Sequence, residues 1–527
     1  MLNPATRKLV SVIFDAPFYL RRYRDVAECG VDPMTHYLEI GWREGRDPSP
    51  KFSTNGYLQA NADVVSAGVC PLVHYVTSGI LDGRTAPIAK RSGNPDGSPT
   101  IVESAVPLAE RMNALPHVAA VEPLDGAALG RLIARLADER PVGIAVSISH
   151  DDYLTMLGGV QNCIRDEARA LREKGWAYLH LCPVQPLPVL AEPTPPESFL
   201  VWLRANQERV GAVSVRVLIE AIGHCPLGEA RRALILHHLM GFCPESVTDI
   251  ARAFAPRETI VWVHDFFSLC PNYALLHNDV AFCGAPGPDS HACGTCVYGG
   301  DERRRHLARL ERLATELNPI VFAPSDTALE FWRAHSRLTH ASARTLPHGV
   351  LAMDRDLRPP AVASETLLRV GFVGVPAYHK GWHVFERLAR LHERDPRYRF
   401  FHLGTVAGPE HSNIAFVEIA VDAERPDYMI DAIVTNGIDV VVNWSLCYET
   451  FSFSTHEAIA GGSFVLAQNG AGNIVPAITG AQQGTGLDSE QELFELFASG
   501  KIFELMRGRR YGELIRHPAT AAYLEPQ

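Results

Sequence analysis

The chain has no apolar run near the about 20 residues that a membrane-spanning helix needs, and it has no excess of basic residues. Its net charge is −11, from 60 acidic and 49 basic residues. Proteins that bind nucleic acid generally are usually basic, so no nucleic-acid partner is expected. The beginning of the sequence carries a basic pair, but its apolar segment is too short for a signal peptide.

Cysteines are few and scattered, with 11 in 527 residues, an odd number. This distribution is typical of a reducing compartment and does not indicate a disulfide framework. We therefore expect a cytoplasmic protein, and peripheral association with the inner face of the membrane stays open.

Four of the cysteines share one loop: Cys270, Cys283, Cys293 and Cys296. The Cys293-x2-Cys296 spacing is typical of metal ligands, but the outer gaps are irregular. Either the loop binds a structural zinc ion or its thiols carry no metal.

Residues 1–85 contain an internal repeat. The segment that begins at Phe14 aligns without gaps with the segment that begins 38 positions later, at Phe52. The alignment pairs tyrosines, glycines and prolines in unbroken register, and it also pairs His36 with His74, which indicates duplication. Each unit predicts two short helices. We interpret the two histidines as packing residues, not ligands, and the module as a packing unit or a site for a protein partner.

A stretch rich in Pro, Ser and Ala opens the predicted linker, 86–140. Beyond it, apolar runs of strand length alternate with segments of helical periodicity. The predicted strands are 142–149, 178–184, 213–220, 259–265 and 320–325 in one domain (141–345), and 368–375, 398–406, 439–445 and 463–470 in another (346–527). The predicted fold class is α/β, with two Rossmann-like doubly wound domains after a small, mainly helical two-repeat module.

In doubly wound sheets, ligands bind beyond the carboxyl ends of the strands. Glu449 follows the predicted strand 439–445, and Glu457 lies in a predicted helix that begins near Ser454. The amino end of a helix suits an anion such as a diphosphate. Glu457 can then accept hydrogen bonds from a ribose and Glu449 from a sugar. The alternative for Glu457 is a capping box with Ser454.

Three further motifs fall at predicted strand ends. Lys380, followed by a glycine, stands after the first strand of the second domain, where it can neutralise a phosphate or be an ordinary surface lysine; the spacing is not that of a Walker loop. Gly159 belongs to a glycine pair in the first strand-to-helix turn, where a backbone can approach a ligand. His264 ends another strand and either contacts a sugar or is a hydrogen-bonded, partly buried histidine.

Together these residues resemble the retaining GT-B glycosyltransferases of the family 4-like type, from residue 142 to about the end of the chain. The repeats resemble modules attached to some bacterial polysaccharide glycosyltransferases. The resemblance implies hexosyl transfer with retention from a UDP- or GDP-linked donor to a glycan or lipid-linked acceptor, in bacterial surface or exopolysaccharide synthesis. It implies that the donor binds mainly the second domain and the acceptor mainly the first. It also implies that neither a metal nor another cofactor is required.

The resemblance also implies roles for single residues. Lys380 would contact the diphosphate, Glu449 the transferred sugar and His264 the same sugar from the other domain, which makes these three the candidate catalytic residues. The implied donor-binding residues are Gly159 beside the donor, Lys380, the backbone N–H groups of Phe451 and Ser452, and Glu457 at the ribose.

Two positions depart from the family pattern. Val375 stands where many members have an arginine beside the diphosphate, and Ser452 stands where a glycine is usual. Two other functions therefore stay open: a nucleotide-sugar epimerase or hydrolase of the same fold, and a catalytically inactive scaffold that binds a partner through its repeats. The sequence does not identify the donor's base or sugar, the acceptor, or the oligomeric state.

Overall fold

The protein is described here from a computed structural model. It describes residues 4–29, 31–86, 112, 118, 121–156, 158–224, 230–354, 356–360, 367–408, 411, 413–419, 427–506 and 508–525. The greater part of the predicted linker, 87–111, 113–117 and 119–120, lies outside the described residues.

The N-terminal module is helical, as expected. Its helices are α1 (Pro4–Ile13), α2 (Ala16–Arg22), α3 (Arg24–Cys29), α4 (Pro33–His36), α5 (Thr54–Ala60), α6 (Ala62–Ser66) and α7 (Pro71–His74). A π-helical turn follows α4 (Tyr37–Gly41) and another follows α7 (Tyr75–Gly79). The elements of the second repeat begin 38 positions after those of the first, as the sequence alignment does.

Each repeat holds a buried tyrosine through a histidine. The hydroxyl of Tyr19 lies 2.8 Å from Nδ1 of His36, and that of Tyr57 lies 3.1 Å from Nδ1 of His74. A Cβ atom at Gly41 would lie 2.1 Å from the Tyr19 hydroxyl, so only glycine leaves room for the ring. The two histidines therefore act as packing residues in this structure.

The first α/β domain contains an eight-stranded sheet in the order β10-β9-β6-β5-β1-β2-β3-β4. Only β3 and β4 pair antiparallel with their neighbours. The strands are β1 (Gly143–Ile148), β2 (Trp176–Pro183), β3 (Leu200–Ala205), β4 (Glu208–Ser214), β5 (Arg231–Leu236), β6 (Glu258–Trp262), β9 (Ile320–Ala323) and β10 (Ser342–Thr345), with a separate hairpin of β7 (Leu276–His277) and β8 (Ala281–Phe282). The helices are α8 (Gly126–Asp138), α9 (Gly159–Glu173), α10 (Val215–His224), α11 (Pro244–Phe254), α12 (His291–Gly294), α13 (Gly300–Leu317) and α14 (Asp326–His335). Every residue of β1 and β2 is buried because helices cover both faces of the sheet.

The second α/β domain has a six-stranded, fully parallel sheet in the order β14-β13-β12-β15-β16-β17. Its strands are β12 (Leu368–Val373), β13 (Tyr398–Gly404), β14 (Ile414–Glu418), β15 (Val440–Asn443), β16 (Phe464–Gln468) and β17 (Gly484–Leu487). Its helices are α15 (Trp382–Leu391), α16 (Tyr428–Thr435), α17 (Phe453–Ala460), α18 (Ile474–Ala481), α19 (Glu490–Ala498) and α20 (Ile502–Leu505), with a 3-10 turn at Tyr378–Lys380. The predicted fold class is confirmed.

The end of the chain returns to the first domain. Strand β18 (Gly512–Arg516) pairs antiparallel with β11 (Gly349–Met353), and the last helix, α21 (Ala519–Tyr523), follows. The indole of Trp262 in β6 donates a hydrogen bond to the Thr520 hydroxyl at 2.9 Å. This contact ties the end of the chain to the first domain, whereas the β11–β18 pair lies within the second domain.

One predicted strand is wrong. Residues 213–220 form the end of β4 and most of α10, because Val215, Leu218 and Ile222 recur at helical spacing and bury one helix face. In the predicted linker, α8 buries Leu129 and Ile133 against the first domain. No helix in the described part of the chain is both long and apolar enough to cross a bilayer.

Candidate active site

The strand order of the second sheet reverses between β12 and β15. Ligands bind at such reversals in open α/β sheets, because the loops that follow the two strands leave a crevice between them. The loop after β12 carries Lys380, and the loop after β15 carries Glu449. The topology therefore brings two of the predicted residues to one edge of the sheet.

Lys380 and Glu449 form an ion pair. Nζ of Lys380 donates to Oε1 of Glu449 at 2.6 Å, and the hydroxyl of Ser445 donates to the same oxygen at 2.9 Å. Burial favours the neutral form of each group, but their attraction outweighs it, so the pKa of Glu449 is lowered and that of Lys380 is raised. The Lys380 side chain is 40% exposed, so a ligand can reach a charged ammonium group.

Gly381 allows the two loops to approach each other. Its φ is +80°, and a Cβ atom there would lie 2.0 Å from the backbone oxygen of Trp444. Any side chain would push the loop of Lys380 away from the loop that leads to Glu449. The glycine of the Lys-Gly pair singled out in the sequence is therefore required by the backbone.

Helix α17 begins at Phe453, directly after the loop of Glu449. Its N-cap residue, Ser452, has φ +67° and ψ +83°, a left-handed conformation that glycine adopts more readily, and its side chain makes no capping bond. The capping box between Ser454 and Glu457 is therefore wrong, because Ser454 already lies inside the helix. Among the described residues, the backbone N–H groups of Phe451 and Ser452 donate to no partner. Beside the amino end of α17, they suit an anion.

Glu457 lies between the two α/β domains and is 6% exposed. Nη2 of Arg516 lies 3.9 Å from its Oε1, and Arg516 also pairs with Asp166 of α9 at 3.4 Å. Burial raises the pKa of Glu457 to about 7, although Arg516 opposes the shift. In the described part of the chain, no hydrogen bond or ion pair joins Glu457 to Lys380 or Glu449.

Replacing Glu457 by glutamine is expected to stabilise the ligand-free protein at pH 8 but not at pH 5. The raised pKa means that the folded state holds a proton which the unfolded state releases above about 4.5, so the free energy of unfolding falls as pH rises from about 4.5 to about 7. A shift of this size corresponds to about 3 kcal/mol. Urea midpoints at the two pH values measure it, with exposed Glu513→Gln as the control. Equal gains at both pH values would contradict the expectation.

His264, which follows β6, contacts the second domain. Its backbone oxygen accepts a hydrogen bond from the hydroxyl of Thr450 at 2.5 Å. Since Thr450 is the neighbour of Glu449 in the chain, the predicted residues of the two domains meet at this point. Gly159 also faces the second domain, because a Cβ atom there would lie 3.4 Å from the Phe453 ring.

The imidazole of His264 is the middle member of a row of three. Its Nε2 lies 2.9 Å from Nδ1 of His237, and its Nδ1 lies 3.2 Å from Nε2 of His348. His237 lies 3.1 Å from a carboxylate oxygen of Glu167. Because a carboxylate accepts, His237 donates to Glu167, His264 donates to His237, and His348 donates to His264. Burial lowers the pKa of His348 to about 3 and that of His264 well below its usual value, so both rings are neutral. A sugar contact by His264 requires one of these bonds to be exchanged.

A group of three side chains in the described part of the chain has the ligand spacing of a metal site. The ligand atoms of Cys163, His264 and His348 all lie within 4.8 Å of one another. A thiolate with two imidazoles suits zinc or another soft transition metal. The group unites α9, the end of β6 and the loop before β11, so nothing in the local sequence indicated it.

Sequence reasoning missed three side chains of the site: Ser445, His348 and Arg516. Ser445 lies four positions before Glu449, and its place at a strand end was the available signal. His348 and Arg516 come from distant segments that the β11–β18 pairing brings to the cleft. The structure thus gathers Lys380, Glu449, Phe451 and Ser452 on one side, with His264 and Gly159 opposite and Glu457 beside Arg516.

No protein-family model matches the sequence. No curated protein matches it either. Among solved structures, HepE of Anabaena with UDP and glucose is similar at 12% identity and a TM-score of 0.40, over 69% of this chain and 94% of that one. The α,α-trehalose 6-phosphate synthase of Burkholderia multivorans is similar at 10% identity and a TM-score of 0.40, over 69% of this chain and 89% of that one. The catalytic domain of Arabidopsis thaliana starch synthase IV with ADP and acarbose is similar at 12% identity and a TM-score of 0.39, over 69% of this chain and 92% of that one. None of these similarities assigns the chain to a family.

Proposed function

We propose that the chain is a retaining, hexosyl-type glycosyltransferase, which moves a sugar from a UDP- or GDP-linked donor to a glycan or lipid-linked acceptor in bacterial surface or exopolysaccharide synthesis. One observation carries the proposal. The charged Lys380–Glu449 pair lies beside the amino end of α17, at the reversal of one sheet, and meets the end of β6 from the other domain.

The donor's diphosphate would bind Lys380 and the free N–H groups of Phe451 and Ser452. In the ligand-free protein, Lys380 forms an ion pair with Glu449. A bound diphosphate must therefore replace Glu449 as the partner of Lys380. Glu449 then becomes free to accept hydrogen bonds from hydroxyl groups of the sugar. Glu457 would accept from the ribose, whose hydroxyls satisfy a buried carboxylate better than the present surroundings do.

Transfer breaks the bond between the anomeric carbon and the phosphate oxygen and forms a bond to the acceptor oxygen on the same face. The acceptor proton passes to the departing phosphate, which lies on that face. Negative charge grows on the phosphate in the transition state, where Lys380 and the amino end of α17 stabilise it by electrostatic preorganisation. Closure of the two domains excludes water, which would otherwise hydrolyse the donor. No cofactor takes part in the proposed reaction.

Val375 makes Lys380 more important in this chain. Its side chain is 59% exposed and carries no charge, so it offers nothing to the diphosphate where an arginine is usual. We propose that Lys380 is the main side-chain cation at the leaving group. We also propose a cytoplasmic location for the reaction, which uses cytoplasmic nucleotide sugars.

A donor panel tests the proposed function. The full-length chain is mixed with UDP-glucose, UDP-galactose, UDP-N-acetylglucosamine or GDP-mannose and a mixture of glycan acceptors, and the release of nucleoside diphosphate is followed. One donor is expected to be consumed in an acceptor-dependent manner, and Glu449→Ala is expected to slow release by about 10²–10³-fold. Glu418→Ala, an exposed glutamate of the same domain, is the matched control.

The outcomes separate the other functions. Equal release with and without acceptor would favour a hydrolase, and an altered donor sugar would favour an epimerase. No binding of UDP or GDP by calorimetry, in the wild type or in any variant, would favour an inactive scaffold. Each of these results would overturn the transferase.

A further inference from the structure

The four cysteines of the loop that follows β6 line one cavity of about 10 Å³. Cys270 lies ahead of the β7–β8 hairpin and Cys283 directly after it, whereas Cys293 lies in the short helix α12 and Cys296 just beyond. The fold therefore closes a 27-residue loop so that all of its cysteines face one space. This space is separate from the Lys380–Glu449 site.

A buried arginine borders the same cavity without a carboxylate partner. Arg303 is 4% exposed and donates to the backbone oxygens of Leu269 and Pro286 at 2.9 and 2.6 Å and to the sulfur of Cys293 at 2.7 Å. In the part of the chain that the structure describes, no acidic side chain forms an ion pair with it. Other buried arginines have such partners: Arg309 pairs with Glu245, and Arg509 pairs with Asp439.

An unpaired buried guanidinium group is costly, and its compensation has to come from a nearby negative charge. Among the described side chains, the thiol of Cys293 is the one that accepts a hydrogen bond from Arg303. A bound divalent metal would convert the thiols to thiolates, and Arg303 would then offset part of their charge.

We propose that Cys270, Cys283, Cys293 and Cys296 bind one structural zinc ion as four thiolates. Zinc prefers this ligand set in a closed tetrahedral site, with zinc–sulfur distances of about 2.3 Å. The sulfurs would draw together around the ion, and the bond from Arg303 to Cys293 would become a contact to a zinc-bound thiolate. Iron–sulfur chemistry is the other common use of four cysteines.

The zinc ion would hold the surface that the first repeat contacts. His277 also lines the cavity, and its Nε2 lies 2.8 Å from the oxygen of Ala292 and 3.2 Å from the Thr295 hydroxyl, on either side of Cys293. Its Nδ1 contacts the buried carboxylate of Glu44 in the first repeat. Because the loop positions this histidine, metal binding at the cysteines would order the contact between repeat module and first domain.

The test begins with metal analysis of the full-length protein, purified with a reductant and without added metal. The expected result is about one zinc ion per chain. Replacement by Co²⁺ is expected to give the visible absorption of a tetrahedral cobalt–thiolate centre. The Cys293→Ser and Cys296→Ser double variant is expected to lose the metal, whereas Cys163→Ser is expected to keep it.

Three results would overturn the proposal: no bound zinc and no zinc uptake after treatment with Zn²⁺, stoichiometric iron in place of zinc, or loss of the metal in Cys163→Ser. The last would place the ion with His264 and His348 instead. Hydrogen exchange of the wild type before and after removal of zinc by a chelator avoids dependence on the variants. Faster exchange is expected in 270–296 and in the first repeat, with residues 52–84 unchanged, and unchanged exchange in 270–296 would also overturn the proposal.

Discussion

Replacing Lys380 by alanine is expected to lower the turnover number with the preferred nucleotide-sugar donor by about 10²–10³-fold. Lys380 is the side-chain cation held at the reversal of the second sheet, and its Nζ lies 2.6 Å from Glu449. In the proposed transfer, charge grows on the departing diphosphate as the sugar bond breaks, so a preorganised cation would stabilise the transition state more than the ground state. Affinity for the free nucleoside diphosphate is expected to fall as well, since that product carries the same charge.

Three further variants sharpen the measurement. Lys501→Ala removes an exposed lysine from the same domain and should leave the turnover number unchanged. Lys380→Arg keeps the charge but changes its shape, so partial recovery is expected. In the Lys380→Ala and Glu449→Ala double variant, the losses are expected to be non-additive, because each residue holds the other. A turnover number within threefold of the wild type in Lys380→Ala would contradict the assigned role.

The sequence predicts the strands that position this site because helices cover both faces of the parallel sheets. The apolar runs of β1, β12 and β15 are buried almost without interruption, which gives a clear signal. Residues 213–220 were misread because β-branched side chains favour a strand locally, whereas the long-range core buries one face of a helix there. β5 begins with two arginines, which hid its short apolar run.

Within the site, too, the sequence predicts what local structure determines and misses what long-range contacts determine. Glu449, Phe451, Ser452 and Glu457 lie in one short segment, so their shared neighbourhood follows from local structure. Arg516 reaches Glu457 only through the β11–β18 pair, and no periodicity encodes that contact. The ion pair of Lys380 with Glu449 was not predicted either, because a motif read alone shows which ligand a charge suits but not which side chain holds it in the ligand-free protein.

Replacing Arg46 by alanine is expected to destabilise the first repeat by about 3–5 kcal/mol, the usual cost of removing one member of a buried ion pair. Arg46 is 2% exposed. Its Nε donates to Glu44 at 2.5 Å, and its two other nitrogens donate to Asp25 at 2.9 and 2.7 Å. Without Arg46, the carboxylates of Glu44 and Asp25 both lose their arginine, and among the described side chains only His277 still contacts Glu44. Urea unfolding, followed by hydrogen exchange in residues 14–46, measures the change.

The duplication supplies the control, because Arg84 occupies the position of Arg46 in the second repeat and pairs with Asp63 as Arg46 pairs with Asp25. The side chains of Arg84 and Asp63 are 24% and 59% exposed. Arg84→Ala should therefore have little effect on the stability of residues 52–84. The pH dependence adds a second check. Arg46 and His277 outweigh burial and lower the pKa of Glu44 to about 2, so its stabilisation is present above about pH 4.5 and is lost as pH falls toward 2. Equal effects of the two arginine variants would show that the first repeat gains nothing from its docked position, since burial against the cysteine loop is what distinguishes the two sites.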